Sequence, residues 1–478
     1  MDTTSFRFLG FALLMGLLYN LRRTVLWRQA ILLAANAVFL ATFATYWKKY
    51  LPLAMFVGIG YAAIRLMQLR RWRVLFIPVV AAFVLLFTWL KRYTFLPHQA
   101  FLPFPYLAIG LSYIFFRVMH MIVDAKDQTL PGPVGIVPYL NYTLNFTTLV
   151  SGPIQLYPDF ASSQLSPNQR SLTLADCALG LERIVIGFFK LRVLSAVFSA
   201  VQQAALVQLS AGQPLQNKLT TACVVVGSYP IYLYFNFSGF IDVMIGVGTL
   251  FHLDLPENFN RPFSATSFIE FWSRWHITLS NWVKTYVYTP LVKALMGKFP
   301  DPQVDPLLGV VGFFVAFFIV GVWHGPTSEF VLYGVLLGGG VALNKLFQIT
   351  LSKALGRKRY KTVDNNAIYV AFSRGLTFTY FTFALIWFWS SWAQIHQLAS
   401  GLTFIQEILV WMVVWLASTI LLTCWEELHE RALRLEWNGA PVLLSAPVRS
   451  AWAVYLTLLA AVALYTVNVS TPVLYQIF

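Results

Sequence analysis

Long apolar runs recur along this chain, and they decide its solvent before anything else is read. Phe6–Tyr19, Leu26–Trp47, Leu51–Met67 and Val74–Leu90 follow one another, each with at most one cation, placed near an end. A helix rises about 1.5 Å per residue, so roughly 20 residues cross a hydrocarbon core of about 30 Å. The chain is 58% hydrophobic and only 11% charged, against about a quarter charged in soluble domains. A water-facing surface cannot be built from so few charges, which excludes cytosolic, secreted and disordered chains. The expected fold is an all-α multi-pass membrane protein. Its length allows about 11–13 membrane segments. Residues 1–478 are expected to form one membrane-embedded domain: scaffold helices over 1–100, a motif-bearing core over 110–345 and C-terminal helices over 367–478.

Lys and Arg number 34 against 19 acids, a net charge of +15. The cations cluster between apolar runs, at Arg22, Arg23 and Arg28, at Arg65, Arg70, Arg71 and Arg73, and at Lys353, Arg357, Lys358, Arg359 and Lys361. That distribution suits loops on the cytoplasmic side of a bilayer carrying anionic lipid, so membrane lipids are the expected partner and nucleic acid is not. Cys177, Cys223 and Cys424 are far apart and form no CxxC pair, so neither a disulfide framework nor a zinc ribbon is expected. Phe6–Tyr19 leads into Arg22 and Arg23, not into a small-residue cleavage site, and reads as a retained first helix.

The scarce polar residues concentrate in the middle of the chain. Asn141–Phe160 is apolar but carries Asn141, Asn145, Thr147, Thr148 and the Ser151-Gly152-Pro153 break, which suits a kinked or re-entrant segment buried in protein. Asp242 lies inside an apolar stretch, where an acid is costly unless it faces a cavity or a partner. Written as one helix, residues 268–282 place Phe268, Phe271, Trp272, Trp275, His276, Leu279 and Trp282 on a common face, an interfacial helix with His276 turned toward protein or lipid. His324 ends a largely apolar run and is followed by Gly325-Pro326. Each histidine also has a plain reading, as a core or helix-end imidazole satisfied by a neighbour. HExxH, P-loop and GxSxG signatures are absent, Gly246-Val247-Gly248 lacks a third glycine, and the histidines lack metal-ligand spacing, so no metal or bound cofactor is expected.

Gly110-Leu-Ser-Tyr-Ile-Phe-Phe-Arg117, Ser151-Gly-Pro-Ile-Gln155, Pro256-Glu-Asn-Phe-Asn-Arg-Pro-Phe263, Glu270-Phe-Trp-Ser-Arg-Trp-His-Ile-Thr-Leu-Ser280 and Gly321-Val-Trp-His-Gly325 occur in that order. This series resembles the membrane-bound O-acyltransferase family in its bacterial cell-envelope branch. The resemblance implies helices around a central funnel or tunnel in the bacterial cytoplasmic membrane, with interfacial and re-entrant helices. It also implies transfer of an acyl group, most simply acetyl, from a cytoplasmic thioester (acetyl-coenzyme A or an acyl carrier protein) to a hydroxyl. The acceptor would be an envelope or exported polysaccharide, or a partner protein that passes the group on. His324 would be the catalytic histidine and His276 the second polar residue. Trp323, Trp275, Trp272, Asn258, Asn260, Arg274 and Asp242 would line the site. The segment after Tyr286-Val-Tyr-Thr-Pro-Leu291 departs from the alginate-type pattern, and His120–Asp127 leans toward the D-alanyl group that serves teichoic acid. D-alanyl transfer is therefore the alternative within the family. Outside it, buried Asp242, Glu329 and the histidines leave open a transporter or a structural subunit of a polymer-export complex.

Imidazole titrates near working pH and suits His324 to general-base duty. A nearby donor would stabilise the tetrahedral oxyanion, and His276 or a tryptophan N–H is the expected source.

Overall fold

The computed structural model describes residues 3, 5–44, 46–168, 170–210, 215–437, 440–442 and 445–466. Among the described residues the chain divides into two compact units, residues 1–191 with 237–257, and residues 192–236 with 258–466. Among the described residues, seven helices are long and apolar enough to cross a membrane: Trp47–Gln68, Arg70–Leu90, Leu174–Leu209, Asn217–Leu250, Asp305–His324, Ser328–Asp364 and Phe404–Leu433. Phe6–Asn20, Val25–Ala41 and Ala446–Val462 are shorter apolar helices. The protein is thus an all-α integral membrane protein. Together these are ten apolar helices among the described residues, beside the 11–13 membrane segments expected from length. Among the described residues, strand structure is limited to Glu436–Trp437 paired with Ala440–Pro441 and an isolated bridge between Phe259 and Trp275.

The first unit contains α1 (Phe6–Asn20), α2 (Val25–Ala41), α3 (Leu51–Gln68), α4 (Phe76–Leu90), α5 (Leu111–Asp127), α6 (Ile136–Thr143), α7 (Tyr157–Gln164) and α8 (Leu174–Phe189). Polar residues start several of them: Ser5 caps α1, Thr24 caps α2, and Thr173 with Asp176 forms a capping box on α8. The stretch between α6 and α7 is non-helical and buried, as the Asn, Ser and Gly-Pro content predicted. Its backbone groups have no water to turn to, so side chains take them up. Arg117 is buried and donates to the carbonyls of Tyr142 at 3.2 Å, Thr143 at 3.1 Å and Thr148 at 2.5 Å, closing the C-terminus of α6. His120 Nε2 accepts from the Tyr157 backbone N–H at 3.1 Å, while its Nδ1 lies 3.2 Å from the Phe116 carbonyl. The backbone N–H can only donate, so this imidazole is neutral with its proton on Nδ1, and His120 serves the fold.

The second unit contains α9 (Ser195–Ser210), the first part of α10 (Leu215–Leu250), α11 (Phe268–Arg274), α12 (Ile277–Val283), α13 (Thr289–Lys298), α14 (Asp305–His324), α15 (Ser328–Asp364), α16 (Ala367–Trp389), α17 (Trp392–Ser400), α18 (Phe404–Leu433) and α19 (Ala446–Thr466). α14 and α15 form a tight antiparallel hairpin. A Cβ on Gly321 would stand 2.2 Å from the Gly334 Cα, so the backbones touch where His324 is presented. The loop before α11 is tied to the C-terminal helices. Arg261 ion-pairs with Glu426, and Arg374 donates from Nε to the Ser264 carbonyl at 3.2 Å.

Candidate active site

Residues 268–282 are not the single helix that their aromatic periodicity predicts. α11 stops at Arg274, Trp275 is extended, and His276 is left-handed (φ 45°, ψ 52°) before α12 starts at Ile277. The break is made by pairing with the Asn258–Asn260 loop. Asn260 N–H donates to the Arg274 carbonyl at 2.9 Å, and Ile277 N–H donates to the Asn258 carbonyl at 3.0 Å. A histidine tolerates the left-handed region better than a β-branched residue would.

Asn258 then governs His276. Its Oδ1 accepts from the Thr278 backbone N–H at 3.0 Å and from the Thr278 hydroxyl at 2.8 Å, and it lies 3.2 Å from His276 Nδ1. Because the amide N–H can only donate, this Asn258 atom must be the oxygen, and His276 Nδ1 must carry the proton. The Nε2 of the neutral ring therefore bears the lone pair. His276 is 1% exposed, and burial holds its imidazole at about 3, far below the ordinary value near 6.5. A neutral ring of this tautomer accepts a proton at Nε2 and cannot donate there.

Trp272 and Trp275 are buried in an aromatic wall. Trp272 faces Phe317 of α14 with centroids 5.1 Å apart, while Trp275 meets Phe381 of α16 at 5.0 Å and Phe259 at 5.1 Å. Asn260 is exposed and contributes its backbone. Arg274 is held by Glu270, with Nη2 to Oε1 at 2.9 Å, at the partly exposed edge of the same contact.

His324 is the last residue of α14 and is 4% exposed. Its ring has Trp323 at 4.8 Å, Tyr333 of α15 at 5.8 Å and Phe388 of α16 at 5.2 Å. It is enclosed by protein and does not lie on a lipid-facing surface. Phe317 and His324 are seven residues apart on α14, as are Phe381 and Phe388 on α16. At 1.5 Å per residue both helices put the His324 cluster about 10 Å further along than the wall beside His276. The Trp272–Trp275 contacts and the His324 cluster thus lie at two levels along α14 and α16. Tyr333 and Phe388 carry no polar motif that sequence reading would single out, although Tyr333 follows His324 closely in the same hairpin.

Asp242 lies in the first unit. Its Oδ1 takes Arg183 Nε at 2.8 Å and its Oδ2 takes Lys190 Nζ at 2.6 Å, and Arg183 also pairs with Glu257. Nearby, Gly180 with Gly246 and Gly187 with Gly239 bring the backbones of α8 and α10 together. The acid that looked unaccompanied is neutralised by two cations, and this explains its tolerance inside an apolar helix.

A family model described as the membrane-bound O-acyltransferase family matches residues 123–369. Among curated proteins, the chain is 30% identical over 233 residues to the teichoic acid D-alanyltransferase of Bacillus subtilis, covering 48% of this chain and 56% of that protein. It is 28% identical over 358 residues to a probable alginate O-acetylase of Pseudomonas fluorescens, covering 73% and 66%. It is 32% identical over 212 residues to the peptidoglycan O-acetyltransferase of Helicobacter pylori, covering 44% and 38%. The chain thus spans between roughly two fifths and two thirds of the length of these relatives. The matched region contains Asn258, His276, His324 and Tyr333, and the chain belongs to the membrane-bound O-acyltransferase family.

Proposed function

We propose that this protein is an acyltransferase of the bacterial cytoplasmic membrane. It moves an acyl group, in the simplest case acetyl, from a cytoplasmic thioester donor to a hydroxyl of an envelope or exported polysaccharide, directly or through a partner protein. The observation that carries the reading is the enclosure of His324, within the family-matched region at the end of α14, by Trp323, Tyr333 and Phe388.

In this reading His324 accepts the proton of the attacking hydroxyl as its oxygen bonds to the thioester carbonyl carbon. The tetrahedral intermediate collapses, the carbon–sulfur bond breaks, and the departing thiolate takes the proton from the imidazolium. His276, neutral and with its lone pair on Nε2, is suited to accept a hydrogen bond from a hydroxyl or thiol of a substrate about two helical turns away. The oxyanion needs a donor other than His276. The thioester is acetyl-coenzyme A or a loaded acyl carrier protein, and the reading requires one of the two. D-alanyl transfer toward teichoic acid is the second reading, motivated by the similarity to the teichoic acid D-alanyltransferase.

Mass spectrometry of envelope polymers from cells with and without the gene tests the proposal. Loss of O-acetyl supports the first reading and loss of D-alanyl esters the second. Unchanged acylation would leave a transporter or a structural subunit as the better account.

A further inference from the structure

Two hydroxyls beside the His324 cluster have no hydrogen-bond partner among the described residues. Tyr229, on the second unit's part of α10, is 4% exposed, and so is Ser390, directly after α16; neither side-chain oxygen is satisfied. Buried hydroxyls are nearly always paired, and one left alone inside a protein is a standing cost to folding. The Tyr229 ring lies against Trp389, with centroids 5.3 Å apart, which places it next to the residue preceding Ser390. Trp389 follows Phe388, whose ring is 5.2 Å from His324 and 5.4 Å from Tyr333. Pro230 follows Tyr229 inside the helix and removes the ladder bond to the Val226 carbonyl, so the backbone is locally irregular here as well. Unsatisfied donors, an aromatic enclosure and a histidine thus gather in one place, built from α10, α14, α15 and α16.

Resting on the acyl-transfer reading, we propose that the Tyr229 hydroxyl, with Ser390 beside it, donates a hydrogen bond to the carbonyl oxygen of the acyl group that His324 acts upon. The Tyr229 hydroxyl has no acceptor among the described residues, so its proton is available to a carbonyl oxygen. As the attacking oxygen bonds to carbon, the carbonyl π electrons move to that oxygen, and a donor already in place and shielded from water stabilises the growing charge. The tetrahedral species then returns the electron pair to the carbonyl as the leaving group departs. Tyr229 neither gains nor loses a proton overall. The hydrogen bond strengthens in the transition state, so its loss acts on kcat more than on KM.

The test compares the purified full chain with Tyr229→Phe, Ser390→Ala and His324→Ala. The probe is hydrolysis of p-nitrophenyl acetate, a small activated ester that enters without a carrier. Tyr229→Phe should lower kcat by about 10²-fold with KM little changed, and its thermal midpoint should not fall, because the hydroxyl has no protein partner to lose. Ser390→Ala should behave the same way with a smaller effect. Wild-type kcat in Tyr229→Phe overturns the proposal. So does a loss of kcat matched by a lowered thermal midpoint, which would mark a packing role. If Tyr229→Phe cannot be obtained folded, Ser390→Ala decides by the same two readouts. If His324→Ala retains activity, the reading of the site itself has failed. If His324→Ala is inactive and Tyr229→Phe is not impaired, only this inference has failed.

Discussion

Removing the Asn258 side chain should unfasten the joint on which His276 sits. Its Oδ1 accepts from the Thr278 N–H at 3.0 Å, the Thr278 hydroxyl at 2.8 Å and, across 3.2 Å, His276 Nδ1, all of them buried. In Asn258→Ala the first turn of α12 loses an acceptor that acts as an N-cap, worth about 1 kcal/mol. The Thr278 hydroxyl and the imidazole N–H are also left unsatisfied away from water, each costing about 1–3 kcal/mol. These terms share one atom and do not add fully, so roughly 3–5 kcal/mol is expected. Asn258→Asp separates the two roles. It keeps an oxygen for Thr278 but places a negative charge against His276, which favours the imidazolium and raises the His276 pKa from about 3 toward or beyond the ordinary value. The assay is thermal unfolding of the detergent-solubilised protein followed by tryptophan fluorescence, together with acyl transfer measured against pH. Asn258→Ala should lose several degrees of thermal midpoint and most activity. Asn258→Asp should lose less stability near neutral pH but show its acid limb of activity at higher pH than the wild type. An Asn258→Ala protein with wild-type midpoint and activity would refute the argument that this oxygen fixes the break and the tautomer.

Gly321→Ala inserts a methyl group at 2.2 Å from the Gly334 Cα. It should cost about 1–3 kcal/mol by overpacking and shift His324 against Tyr333, seen as reduced activity beyond the loss of stability. Arg117→Leu removes a buried guanidinium that satisfies the carbonyls of Tyr142, Thr143 and Thr148. Orphaning them should destabilise by about 3–5 kcal/mol, read as poor accumulation in membranes and a lowered midpoint. Stability should also fall with acidification. His276 is held at about 3 in the fold but near 6.5 when unfolded, so the unfolded chain binds the extra proton. The stabilisation is complete above about pH 6.5 and declines toward about pH 3 by at most roughly 1.4 kcal/mol per pH unit. The midpoint of His276→Gln should be less steep over that interval, and parallel curves would contradict the assignment.

The membrane class, the main apolar helices and the irregular Asn141–Phe160 segment follow from local composition, because hydrocarbon imposes length and polarity on each segment separately. The break at His276 was hidden for the opposite reason. Aromatic positions keep helical spacing across residues 268–282, and only pairing with Asn258 and Asn260, earlier in the chain, overrides it. Asp242 was legible as an unusual residue but not as a paired one, since Arg183 and Lys190 lie 59 and 52 residues away. The histidines stood out by chemistry. Tyr229 and Ser390 did not, because a tyrosine before a proline and a serine after a tryptophan pair read as ordinary span and loop residues. Their interest lies in the missing partner, a property only the fold can reveal.

The role proposed for His324 is that of the base in the acyl transfer. It is tested most directly by single-turnover transfer from radiolabelled acetyl-coenzyme A, or from a D-alanyl-loaded carrier protein, to isolated envelope polymer. Purified wild-type chain is compared with His324→Ala of matched thermal midpoint. The variant should lose roughly 10²–10⁴-fold in rate. Transfer at the wild-type rate by a folded His324→Ala protein would contradict it.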